Sequence, residues 1–235
     1  MAVITIFPTY DGDIGASTTN WNTLITNDTA KGFNDSGISG GGSGFGGGES
    51  VSAAADANGT AYQHRQMFLE FDLETIQDYF DQNIGTSIVS AYIELTVRAA
   101  TGAPKVKLRK GNWNSVGGPA TNWFNDYTST SYYDGLDFIL FAGQTIQFPV
   151  SSTGLSDLAS VDPFKVMIIE ADYVHAGDTP TNGDANVANF YYSEVTTVGF
   201  RPSLVVTVTD PSPGLKGINL TNGTISLNSG KITIQ

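Results

Sequence analysis

Ile88-Val89-Ser90-Ala91-Tyr92-Ile93-Glu94-Leu95-Thr96-Val97-Arg98 is the stretch that decides the fold. Apolar residues recur at every second position, Val89, Ala91, Ile93, Leu95 and Val97, with Ser90, Tyr92, Glu94, Thr96 and Arg98 between them. A period of two puts successive side chains on opposite faces of a sheet, so this is a strand with one buried face. The same alternation recurs in Met67, Leu69 and Phe71, in Ile146, Phe148 and Val150, and in Leu204, Val206 and Val208. It also sets Val106 and Leu108 inside against Lys105, Lys107 and Arg109 outside. Residues 136–141 and 164–169 are apolar at both parities and read as central strands buried on two faces. One helix is expected over residues 74–82, capped by Asp72 and closed by Gly85, with a further helical turn within 154–160.

The 235 residues carry 23 acidic and 11 basic side chains, a formal charge of −12, and only 14% of them are charged. Glycine (27 residues), Ser, Thr and Asn supply the polarity instead, as in a β protein with many turns. The acidic balance speaks against nucleic acid and against an anionic membrane surface, both of which need clustered Lys and Arg. No apolar run reaches the ~20 residues of a membrane span. The opening MAVITIFP lacks a basic region and a long apolar core, so it reads as a strand and not as a secretory signal. The absence of cysteine removes disulfides and thiolate chemistry, and two histidines, His64 and His175, are too few for a multi-histidine zinc site.

These signals predict an all-β chain: a jelly-roll β-sandwich of two antiparallel sheets over residues 1–210, with one short helix. Two segments stand apart. Residues 36–48, SGISGGGSGFGGG, form a low-complexity glycine loop with Phe45 as its single anchor. After a Pro/Gly linker, 211–217, residues 218–235 read INLTNGT, ISLNSGK, ITIQ, a short β-repeat. Ile218, Ile225 and Ile232 hold one position of this repeat; Leu220, Leu227 and Ile234 hold another. Asn222-Gly223 and Ser229-Gly230 suit tight hairpin turns or solenoid corners. So small a β unit is marginal alone, so it is expected to pack on the body, on a neighbouring subunit or on copies of itself.

The body resembles the DNRLRE-type domains, a jelly-roll group related to carbohydrate-binding modules. The likeness lies in Arg65-Gln66-Met67-Phe68-Leu69-Glu70-Phe71-Asp72-Leu73, in Ile88-Val89-Ser90-Ala91-Tyr92-Ile93-Glu94-Leu95, and in the closing pair Phe190-Tyr191-Tyr192-Ser193-Glu194 and Arg201-Pro202-Ser203-Leu204-Val205-Val206. Ile4-Thr5-Ile6-Phe7-Pro8-Thr9 is similar to the family's first strand. Insertion 74–83 and a blurred Trp113 to Trp123 stretch depart from the pattern. The resemblance implies a polysaccharide-associated module; similar jelly rolls also serve as fibres and decorations on phage particles.

Candidate sites follow from residue type. Trp113, Trp123, Tyr132 and Tyr133 are flat rings near Asn and Asp, suited to a polysaccharide platform or to packing. Asp11 and Asp13 after the first strand, and Asp178 and Asp184 in an Asn/Asp-rich loop, offer the oxygen ligands calcium takes, without the order of an EF-hand; Asx turns explain them equally. Nucleophile-elbow and dinucleotide patterns within 37–47 come free with poly-glycine, which cannot form the helix both require. Glu70, Asp72, Glu170 and Glu194 are carboxylates without a fixed pairing. The expectation is a protein with no catalytic residues and no required cofactor, calcium being the one ion its loops suit. The expected role is that of a bacteriophage decoration, head-fibre or tail-fibre protein, assembled in the host cytoplasm. Its partners would be itself, with a trimer favoured, other virion proteins and surface glycans, joined through Phe45 and the apolar positions of the repeat. Carbohydrate binding is the alternative.

Overall fold

The computed structural model describes residues 1–26, 32–35, 49–55, 60–83, 85–114, 124–133, 139–193, 195–209, 225–228 and 231–234. The chain is mostly β, its body in two antiparallel sheets. The first sheet runs β1 (Ala2–Ile6), β12 (Ser203–Val208), β6 (Ile88–Thr101), β9 (Thr145–Pro149). The second runs β11 (Ala185–Phe190), β4 (Glu49–Ala55), β5 (Tyr62–Phe71), β10 (Phe164–Glu170), β7 (Val106–Gly111), β8 (Tyr127–Tyr133). On the other edge of β5 lies β2 (Tyr10–Thr18), followed by β3 (Gly32–Asp35). The long β6 serves both sheets: Ile88 to Thr96 pair with β12 and β9, while Val97 to Thr101 pair with β11.

The alternation in β6 is realised: Ala91, Ile93, Leu95 and Val97 are buried in the space between the sheets. Val89 departs from it and is 44% exposed, because a bulge opposite Thr207 and Val208 shifts the register at that end. Met67, Leu69 and Phe71 of β5, Phe164, Val166 and Ile168 of β10, and Leu204, Val206 and Val208 of β12 fill the same core. Residues 164–169 form a central strand as expected, between β5 and β7. Residues 139–141 do not: Leu140 is buried, but Ile139 and Phe141 are exposed at a turn closed by Gln144 N donating to Phe141 O. Residues 136–138 lie outside the described set.

A second core covers the outer face of the second sheet, which alternation alone did not reveal. Phe68, Met167 and Ile169 point outward from β5 and β10 and meet Ile14, Trp21, Leu24, Trp113 and Phe124. Trp21 and Leu24 come from a short helix, α1 (Trp21–Thr26), whose first turn is capped by Asn20 Oδ1 accepting from Thr23 N at 3.1 Å. The expected helix is α2 (Glu74–Gln82), with Asp72 Oδ1 accepting from Glu74 N at 2.9 Å. The further helical turn is α3 (Ser152–Leu158), beginning earlier than expected because Ser151 Oγ accepts from Gly154 N.

At the C-terminal end, β13 (Ile225–Asn228) and β14 (Lys231–Ile234) form a separate two-stranded antiparallel sheet. Ile225 faces Ile234 and Leu227 faces Ile232, so these four positions share one side, with Ser226, Asn228, Lys231 and Thr233 on the other. Antiparallel pairing is what a hairpin requires. The first unit of the repeat, with Ile218 and Leu220, lies outside the described residues, and a three-unit repeat is not shown.

Candidate functional site

Of the aromatic residues suited to a polysaccharide platform or to packing, three are in the interior. Trp113, Tyr132 and Tyr133 are 1%, 1% and 8% exposed. Tyr132 stacks on Phe164 at 4.7 Å, Tyr133 meets Phe148 edge-on at 5.1 Å, and Trp113 meets Phe68 edge-on at 6.2 Å. A ring closed off on both faces cannot stack on a sugar, so these three are packing residues. Trp123, like Phe45, lies outside the described residues.

The charges set outside on β7 are buried too. Lys107 and Arg109 retain 9% and 7% exposure, and Arg109 Nη2 lies 2.9 Å from His175 Nδ1. Trp113 spans this layer: its Nε1 donates to Glu70 Oε2 at 2.8 Å, and its carbonyl accepts from Lys165 Nζ at 2.6 Å. Gly111 is obligatory beneath it, since a Cβ there would come 2.1 Å from the indole ring. Further along β5, Asn125 N donates to Gln66 Oε1 at 2.9 Å, which orients the Gln66 amide. Gln66 Nε2 is then the donor to Asn125 Oδ1 and to His64 Nε2. His64 therefore presents an unprotonated Nε2 to that amide.

Glu70 and Glu170 do not form a hydrolytic pair. Glu70 stands opposite Lys165, five residues before Glu170 on β10, which places the two glutamates on opposite faces and about 17 Å apart. Glycosidase pairs sit roughly 5–9.5 Å apart. Glu170 Oε2 accepts from Tyr173 N and Val174 N in the π-helical turn Ala171–His175, and Oε1 accepts from Asn186 Nδ2. Burial pushes its pKa up against those hydrogen bonds, which lower it. Asp72 is exposed and accepts from Glu74 N ahead of α2, whose N-cap position is Leu73, and Glu194 lies outside the described residues.

The four aspartates considered for calcium are used separately. Asp11 accepts from Ser193 N and Oγ at 2.8 and 2.7 Å, and Asp13 pairs with Arg65 at 2.8 Å. Asp184 accepts from Thr181 N and Oγ1, which hold its carboxyl below the ordinary value, while Asp178 sits in an exposed loop. Among the described residues no three His, Asp or Glu side chains gather as metal ligands would. A cleft lined by Lys110, Tyr132, Asp162 and Lys165 is likewise internally bonded: Lys110 pairs with Asp157 at 2.9 Å, Tyr132 Oη donates to Asp157 at 2.7 Å, and Asp162 accepts from Leu73 N. Burial, with the Asp157 carboxylate beside it, drives the Tyr132 phenol far above the tyrosine range.

The outer face of the first sheet is open at its β1 and β9 strands, whereas Ser203, Val205 and Thr96 between them are buried. Its strands β1, β12 and β9 carry no charged side chain, and residues 88–96 of β6 carry only Glu94, hydrogen-bonded to Gln147 at 2.9 Å. The outer face presents Val3, Thr5, Thr207, Ser90, Tyr92, Thr145 and Gln147, and Val3 is 65% exposed. Among the described residues β1 pairs with β12 alone, leaving its other edge open. Beyond the end of this sheet Tyr191 stacks on Phe200 at 4.9 Å, a surface ring pair that sequence reading passed over because both rings sit in irregular segments.

No family model matches the chain, and no curated protein matches it. Among solved structures, a chain of the T13 IBDV viral particle, reported as a missing link in icosahedral virus evolution, aligns at 9% identity and a TM-score of 0.18 over 88% of this chain. The alignment spans 58% of that longer chain, and at such a score the two folds are not equivalent and no function is carried across.

Proposed function

We propose that the chain is a non-enzymatic structural protein of a virus particle, a bacteriophage decoration or fibre component, that works by assembling with copies of itself. The observation that carries this reading is the C-terminal hairpin, a sheet separate from the sandwich with Ile225, Leu227, Ile232 and Ile234 on one side. Two strands of four residues are too small to be stable alone, and an aliphatic side needs a partner surface. The virion setting is supported by the resemblance of the body to jelly rolls that also occur on phage particles. A cysteine-free chain suits assembly in a reducing cytoplasm. Among the described residues the two cores are built from positions between Ile6 and Val208, and the body is expected to fold without the hairpin. Mass measurement in solution tests the reading: the full chain is expected to be oligomeric and a chain ending at Thr209 to be a folded monomer. A monomeric full chain would refute it.

Carbohydrate binding, the second reading, is favoured by one observation, the Tyr191–Phe200 stack, with Phe200 38% exposed. It predicts retardation in polysaccharide gels that Phe200→Ala abolishes.

A further inference from the structure

We infer that the open edge of β1 is the acceptor for the C-terminal hairpin of a second copy of this chain, which adds to the first sheet as further strands. The inference rests on the assembly reading above and names the surface it uses. Natural edge strands are usually guarded by a lysine, a proline, a bulge or a covering element. Ala2-Val3-Ile4-Thr5-Ile6 has none of these within it: it is unbroken, uncharged and rich in β-branched residues, and its register with β12 is regular from Ala2–Val208 to Ile6–Leu204. Such an edge offers free main-chain donors and acceptors to an added strand.

The faces of the two elements match. Ala2, Ile4 and Ile6 pack toward the core between the sheets, but Ala2 and Ile4 are only partly buried, so the core ends in a half-covered rim at β1. A hairpin strand laid alongside brings Ile225 and Leu227, or Ile232 and Ile234, over that rim. Its Ser, Thr, Asn and Lys positions then continue the hydroxyl-rich outer face of Val3, Thr5 and Thr207. Lengths agree as well, five residues in β1 against four in each hairpin strand. Charge makes a second copy an acceptable occupant: at −12 per chain two copies repel, and the first sheet is where that repulsion is least, with Glu94 its single carboxylate. The last described strand of the body, β12, ends beside Ala2 at the β1 edge, so the connection to the hairpin starts from the acceptor's own corner.

The test compares the full chain, the chain ending at Thr209, and each of them carrying Val3→Lys and Thr5→Lys. Both positions are exposed, so the two substitutions made in the chain ending at Thr209 are expected to leave its urea midpoint unchanged. Edge lysines should reduce the full-length double variant to a monomer at concentrations where the full chain is oligomeric. Hydrogen exchange of the outward amides within residues 2–6 should be roughly 100-fold slower in the full chain than in the truncated one. If the double variant stays oligomeric while the truncated chain is monomeric, the hairpin assembles elsewhere: this inference is overturned and the assembly reading stands. If the full chain is monomeric, both fall, and slow exchange at residues 2–6 in that monomer would mean that the hairpin occupies its own edge.

Discussion

Gly111 shows how one residue holds a layer in place. The Trp113 indole lies over it, bonds Glu70 from its ring nitrogen and receives Lys165 at its carbonyl. Gly111→Ala would drive a methyl into that ring and is expected to cost about 1–3 kcal/mol, read as a lower urea midpoint. Glu170 makes a prediction of opposite character. Its folded pKa is raised by burial above the ordinary glutamate value of 4.5, so ionisation is disfavoured in the fold. Its stabilising contribution is full below that value and is lost as pH rises through the folded pKa. Urea midpoints of wild type and Glu170→Gln followed from neutral pH down toward 4.5 should therefore move in favour of wild type. A pH-independent difference would contradict the assignment.

Strands β5 and β10 are the elements that join the two cores, because consecutive residues serve them in turn: Met67 inward, Phe68 outward, Leu69 inward. Phe68→Ala is expected to cost about 3–5 kcal/mol, as for any large core deletion, although alternation assigns Phe68 to the outside. Val3→Ser, at a truly exposed apolar position, should stay within about 0.5 kcal/mol. That contrast marks what was legible in the sequence. Period two identifies the inner faces of β6, β9 and β12 because one side of each is wetter than the other. It does not separate a surface from a second interior: Lys107 and Arg109 look exposed by pattern and are buried, and the outward Phe68 shares a second core with Trp21, Leu24 and Phe124 from distant parts of the chain. Residues 139–141 misled for the converse reason, since hydrophobicity without register does not distinguish a central strand from a turn with Phe141 at its surface. The candidate sites were less legible still. Residue type marks the aspartates and rings, but their partners, such as Ser193 for Asp11 or Asp157 for Tyr132, are tertiary. Of the expected C-terminal repeat, the structure describes the antiparallel pair of residues 225–228 and 231–234, with Ser229-Gly230 at the turn position that the sequence marks.

At the scale of the molecule the body should behave as one cooperative unit, since β6 belongs to both sheets and β5 and β10 to both cores. Calorimetry of the chain ending at Thr209 is expected to show a single transition whose calorimetric and van't Hoff enthalpies agree. Two resolved transitions would mean that the outer core melts independently. The pairing of Ala2 with Val208 has a topological consequence: the backbone of the body very nearly closes on itself, with Cα atoms about 4.5–5.5 Å apart at the junction. A circular permutant that fuses Thr209 to Met1 through a short glycine bridge and opens between the exposed Gly177 and Asp178 should fold to the same sandwich. For the same reason the body could be spliced into a surface loop of an unrelated carrier while leaving that carrier's own backbone almost unstretched.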